Sequence, residues 1–216
     1  MAGYLQLASA DIKCQIRRTP SVNVSASDTS VRYDHSRSQS QLDKGEYDTV
    51  SPYGKSARTH VGGLMAGEVS ISQNIRIYQE TWPRLSMGCL YYDSIKVDLH
   101  IKPVIYIARE YEKGSCMYQS ILQHEKKHIA VDRDMVAKYT AKITQVLDRK
   151  LKEIGYTHGP FKTSDIKREQ DRLQTAVQET VQGISKEMGK ERRVRQQAID
   201  TLEEYDRVQA RCRGQI

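Results

Sequence analysis

The run ILQHEKKHIAV, Ile121 to Val131, contains His124-Glu125-Lys126-Lys127-His128. Two histidines at this spacing stand about one helical turn apart, so their ring nitrogens can converge on one tetrahedral zinc. The intervening glutamate is not easily a ligand while both neighbours are bound, but it can reach a water at the metal. The chemistry this predicts is hydrolysis: zinc makes the water acidic, Glu125 takes its proton, and the oxygen attacks a polarised carbonyl. Lys126 and Lys127 fit less well, because zinc-protease helices usually carry uncharged residues there.

Helical projection at about 100° per residue resolves this conflict. Met117, Ile121, Leu122, Ile129, Met135, Val136, Tyr139, Ile143, Val146 and Leu147 share one face, with Glu125 and Asp132 within it and His124 and His128 on it or at its rim. Both lysines point away, which predicts a helix packed on one side only. Ionisable groups set into an apolar face need partners, since an unpaired buried polar group costs about 2–7 kcal/mol. A metal would supply one. An interhelical hydrogen-bond network, with His128 and Asp132 paired at i, i+4, is the structural alternative.

A catalytic zinc needs about three protein ligands. Asp132 is nearest in sequence, but it lies roughly 12 Å along the axis from His124 at 1.5 Å per residue. It therefore fits better as the acceptor of the other ring N–H of His128 than as the third ligand. The remaining candidates are His158, His60, His100, Glu179, Glu203 and Glu204. No glycine and third histidine follow the motif at the spacing HExxHxxGxxH needs, which excludes the usual metzincin arrangement.

The elements that must position these residues have three textures. Residues 1–68 are polar, with SVNVSAS as a short strand, TSVRYDH as its partner, and a long loop from Asp34 to Gly67. Residues 69–112 alternate as strands in EVSISQNIRIYQE and SIKVDLHI, and PVIYIAREY follows after a bend, bulge or edge at Pro103. From Ser115, a plausible N-cap, a helix without Gly or Pro covers 116–154 and stops at Gly155. A second helix starts near Ser164, with Gly189 a break, and a last segment follows. Strands first and helices after predict an α+β fold, a small antiparallel sheet followed by the motif helix and C-terminal helices. The predicted division is a zincin-like domain over 1–160 with a helical extension over 161–216 packed on it.

The run from Cys89 through Asp134, a strand pair followed by YQSILQHEKKHIAVDRD, resembles the bacterial family of predicted secreted zinc-dependent proteases long filed as a domain of unknown function. The resemblance covers about a fifth of the chain. It implies His124 and His128 as zinc ligands, Glu125 as base and an exported location.

Composition bounds the rest. The 216 residues carry a net charge of +7, and 38% are hydrophobic, which predicts a modest core. The basic run Lys186–Arg195 permits nucleic-acid binding, but no aromatic residues interleave with it, and a solvated helix face is the plainer reading. No apolar run approaches the roughly 20 residues of a membrane span. The N-terminus has neither the basic region nor the apolar core of a signal peptide, so the protein is cytosolic or this chain begins after a removed leader. Four cysteines permit two disulfides in three connectivities. Cys89 with Cys116 would staple the strand pair to the motif helix, and Cys14 with Cys212 would tie the termini. The alternative is four buried thiols in a reducing cell. Paired cysteines favour the periplasmic or secreted location. The expected activity is a zinc peptidase acting on peptide or protein. The alternative is a non-catalytic helical module that binds a protein or nucleic acid, with a structural or vestigial motif.

Overall fold

A computed structural model describes residues 13–15, 19–45, 49, 51–53 and 61–213. Of the described residues 47% are helical and 31% are in strands, so the mixed class holds. In order, the elements are β1 (Ser21–Asp28), β2 (Arg32–Asp34), α1 (Gln39–Leu42), β3 (Gly63–Trp82), a 3₁₀ turn (Pro83–Leu85), β4 (Met87–Ile107), α2 (Cys116–Ile154), β5 (Thr157–Lys162), α3 (Ile166–Gln197) and α4 (Leu202–Ala210).

Each of the other four strands pairs with β4. Along it Leu90, Tyr92, Ile95, Val97, Leu99, Ile101, Ile105 and Ile107 are buried, and from Ile95 to Lys102 they alternate with exposed Lys96, Asp98 and Lys102, so there one face packs and the other meets solvent. The strand continues through Pro103, where the sequence predicts a bend, a bulge or an edge.

The predicted antiparallel sheet is corrected. β2 runs parallel to β4, with Arg32, Tyr33 and Asp34 opposite Val104, Ile105 and Tyr106. β5 is antiparallel, placing Met87 opposite Lys162. Nor is β2 the hairpin partner of β1. Ser25 bonds Asp98 and Ser27 bonds His100, so the segment from β1 to β2 advances along β4 in one direction. The excursion through β3 is long enough to return the chain for a parallel pairing, which a tight turn cannot do.

The chain forms two compact units. The first comprises Met1–Asn23, Gln73–Lys96 and Gln145–Thr180. Within it Leu90, Tyr92, Leu147, Leu151, Leu173 and Val177 are buried, and the Tyr92 hydroxyl donates to the Leu173 carbonyl at 2.8 Å. Gly155, at φ 87°, takes the left-handed conformation that ends α2. Cys14 and Cys89 are joined by a disulfide in this unit.

The second unit comprises Val24–Ser72, Val97–Thr144 and Val181–Ile216. Its core packs Ile121 and Ile129 of α2 against Ile105 and Ile107 of β4. Fully burying such side chains is worth about 1.5–3 kcal/mol each. Ser115 caps α2 by accepting from the Tyr118 N–H at 3.2 Å. α3 continues through Gly189, where a break is predicted: buried Ile184 and Met188 in the turn before it outweigh the roughly 1 kcal/mol a helical glycine costs. Cys116 and Cys212 form the second disulfide. The expected pairings Cys89–Cys116 and Cys14–Cys212 are thus corrected; each bridge lies within one unit, with Cα atoms 5.7 Å apart. Among the described residues no helix is long and apolar enough to cross a membrane.

Candidate metal centre

The packing of Ile121 and Ile129 fixes the rotation of α2. His124, Glu125, His128 and Asp132 are consequently buried, whereas Lys126 and Lys127 are exposed. The polar face of α2 meets the end of α3, the turn 198–201 and α4, all in the second unit. Consecutive short hydrogen bonds, Ile199 N–H to Gln196 O and Asp200 N–H to Gln197 O, wind that turn tightly. Thr201 then caps α4 by accepting from the Glu204 N–H. Together these contacts fix Asp200 and Glu204 over the two histidines.

Three atoms converge. His124 Nε2 lies 3.1 Å from Asp200 Oδ1, His128 Nε2 lies 3.3 Å from the same oxygen, and the two Nε2 atoms are 3.3 Å apart. The opposite ring nitrogens are also engaged. His128 Nδ1 is 2.6 Å from Gln196 Oε1. The Gln196 amide orientation is dictated, because its Nε2 donates to Asp132 Oδ1 at 2.7 Å and to the His128 carbonyl at 3.1 Å, both acceptors only. His128 Nδ1 must therefore donate, and its Nε2 carries the lone pair in the neutral ring. His124 Nδ1 faces Glu204 Oε1 at 3.3 Å and its Nε2 faces Asp200 Oδ1 at 3.1 Å, so each nitrogen of that ring has a carboxylate acceptor.

The three atoms form a triangle with edges of 3.1–3.3 Å, which a bound metal ion or protons on the rings would stabilise. Tetrahedral zinc, with bonds of about 2.0–2.2 Å, separates its ligand atoms by about 3.3–3.6 Å, so the triangle is close to one face of such a site. His124, His128 and Asp200 form a buried group that could hold a metal ion. Two imidazoles and one carboxylate suit a transition metal better than magnesium or calcium, which take oxygen donors.

The electrostatics favour an ionised centre, with a negative Asp200 facing rings that hold protons more readily than usual. Burial opposes ionisation of Asp200, but its bonds to His124 and His128 outweigh that and hold it well below the usual carboxylate range. Burial likewise lowers the proton affinity of His124 and His128, and Asp200 and Glu125 overcome it, leaving both raised. Glu204 is held down at about 2 chiefly by Arg207, with burial opposing and Lys127 and His124 assisting. The exposed Lys127 therefore pairs with the far oxygen of Glu204, at 2.7 Å.

Glu125 is pushed up by burial, against the pull of the two histidines. Its Oε2 accepts from the Met65 N–H at 2.7 Å. Gly63 allows this approach of β3, since a Cβ there would sit 2.4 Å from Ile121 Cγ2 and 2.9 Å from Glu125 Oε1. Glu125 and His124 line a cavity of about 410 Å³.

Asp132 takes neither role predicted for it. It is 1% exposed and binds Arg192 through both oxygens, at 2.6 and 3.1 Å, and it reaches His128 only through Gln196. The ring partners are Gln196 and Glu204 instead. Of the other third-ligand candidates, Glu204 meets the wrong nitrogen of His124 for metal binding. His100 bonds Ser27, and His158 bonds the Gly155 carbonyl. Glu179 and Glu203 are exposed, and His60 lies outside the described residues. Asp200 escaped the sequence reading; its signal is the Asp200-Thr201-Leu202-Glu203-Glu204 start of a capped helix that buries two of its acids. Two arginines of the basic run Lys186–Arg195 are neutralised, Arg192 by Asp132 and Arg195 by Glu191.

No protein-family model, curated protein or solved structure matches the chain.

Proposed function

We propose that the protein is a zinc-dependent hydrolase that cleaves peptide bonds, and that it works in an oxidising compartment outside the cytoplasm. The carrying observation is the convergence of His124 Nε2, His128 Nε2 and Asp200 Oδ1, with Glu125 beside them on a cavity wall. Bound zinc supplies Lewis-acid activation of a water and of the scissile carbonyl. Glu125 would take a proton from the attacking water as the water oxygen adds to the carbonyl carbon. The same carboxyl then delivers the proton to the leaving nitrogen as the C–N bond breaks. A carboxyl raised by burial suits both halves of this transfer. Gln196 keeps His128 in the tautomer that leaves Nε2 free, and Glu204 is placed to accept the Nδ1 proton of His124 when its Nε2 is a ligand. The two disulfides support an exported location.

One observation favours the alternative, a non-catalytic module. Asp200 and Glu204 flank both ring nitrogens of His124, a setting that also suits an imidazolium in a metal-free network. Elemental analysis after dialysis separates the two. The hydrolase reading expects one zinc per chain, lost in His124→Ala and Asp200→Ala. Glu125→Gln should retain zinc and lose casein hydrolysis. Metal-free wild-type protein refolded with zinc present would remove the reading.

A further inference from the structure

We propose that the cavity beside Glu125 is a subsite for one large apolar side chain, aromatic or leucine-like, next to the scissile bond; this rests on the hydrolase reading. The cavity, about 410 Å³, falls within the range of about 300–1,000 Å³ typical of ligand sites. Met117 and Ile121 of α2, Tyr205 and Val208 of α4, and Tyr53 and Tyr111 wall it. Two of the phenol hydroxyls have protein partners. The Tyr205 hydroxyl donates to Asp200 Oδ1 at 3.3 Å, and the Tyr111 hydroxyl accepts from Gln39 Nε2 at 2.7 Å. Tyr205 is itself braced edge-on by Tyr53 at 5.8 Å and by His124 at 5.5 Å, so the wall is preformed.

The charge of the lining decides the class of side chain. Among the described residues no lysine, arginine or aspartate lines the cavity; its other polar lining is the neutral Gln39, Ser51 and Gln209, and Glu125 and His124 belong to the reacting centre. An acidic side chain entering it would lose water and meet no lysine or arginine among these residues, which is unfavourable. A basic one would meet only Glu125 and occupy the base. An apolar side chain loses nothing by leaving water and fills the space between rings. Each methylene that fits is worth roughly 10–200-fold in discrimination.

The test uses an alanine–glycine host peptide with one variable residue, Phe, Leu, Ala, Asp or Lys. Binding to zinc-loaded Glu125→Gln protein is measured by calorimetry, and cleavage by wild-type protein is read by mass spectrometry. Phe and Leu should bind at least tenfold tighter than Ala, with Asp and Lys weaker than Ala. Val208→Trp should abolish the advantage of Phe while one zinc per chain remains. Tyr53→Ala, a milder change, should weaken Phe binding selectively. A flat ranking, no binding of any peptide, or a ranking untouched by both variants overturns the subsite. Ranked binding without cleavage keeps the subsite and removes the hydrolase reading. Cleavage without ranking does the reverse.

Discussion

An imidazole serves a metal only while the facing nitrogen keeps its lone pair, so the partner on the far nitrogen matters nearly as much as the ligand atom. Gln196 holds that position for His128, and Asp132 and the His128 carbonyl fix the amide. Gln196→Leu should therefore weaken zinc about 10–100-fold, as loss of such orienting partners generally does, with the fold intact by circular dichroism. Competition with a chromogenic chelator measures it, and unchanged affinity would refute the orienting role. Asp132→Ala acts differently, because it strands Arg192 beside the core. It should cost about 3–5 kcal/mol in urea unfolding, the usual penalty for removing one partner of a buried pair. His158 supplies a pH dependence unconnected with the metal. Burial lowers its pKa below the ordinary 6.5, against the bond to the Gly155 carbonyl. The folded state thus binds fewer protons than the unfolded state just below pH 6.5, and stability falls from there as pH drops. His158→Gln should flatten that limb of a stability–pH curve, and an unaltered slope would contradict the assignment.

At the scale of elements, α4 is the piece that completes the site, and it is tied to α2 at several points. The Ser120 hydroxyl donates to the Val208 carbonyl at 3.1 Å, Arg211 bonds Gln123, and Cys116 is bridged to Cys212. The bridge closes a separation of 96 residues, for which the chain-entropy estimate is about 4–5 kcal/mol. The double variant Cys116→Ser, Cys212→Ser should lose stability of that order and bind zinc at least tenfold more weakly, because Asp200 and Glu204 are then held less firmly. Equal zinc affinity in the bridged and unbridged proteins would show that the clamp has no part in the centre. The same elements explain what the sequence could disclose. The inward turn of His124, Glu125 and His128 was legible because a helix's apolar stripe fixes its rotation from local residues alone. The run of β4 was legible for a similar reason, although its passage through Pro103 was not. Asp200 was not legible, since its meeting with His124 spans 76 residues and depends on where the turn after α3 lands. The parallel course of β1 and β2 was hidden for the same reason. Alternation reveals a strand's faces and says nothing about its neighbour's direction.

On the scale of the whole molecule, the centre belongs to one unit. His124, His128, Asp200, Glu204, Gln196 and Glu125 all fall in the second, as do both cysteines of the clamp. A metal that binds only the folded state stabilises it by about 4 kcal/mol when free metal stands a thousandfold above its Kd. For a chain of this size each kcal/mol moves Tm by about 2–4 °C, so chelation should lower the transition by roughly 10 °C. The Asp200→Ala protein should not respond to the chelator. The effect should also be local, because the first unit has its own buried residues and its own disulfide, and none of its described residues belongs to the centre. Hydrogen exchange with and without chelator reads this directly. Amides of α2 near His124 and of 196–210 should exchange faster once metal is removed, while those of β5 and its partner residues 87–91 keep their protection. Uniform acceleration over both units would mean that the metal governs the fold as one cooperative block, and no change anywhere would mean that the three converging atoms hold no metal.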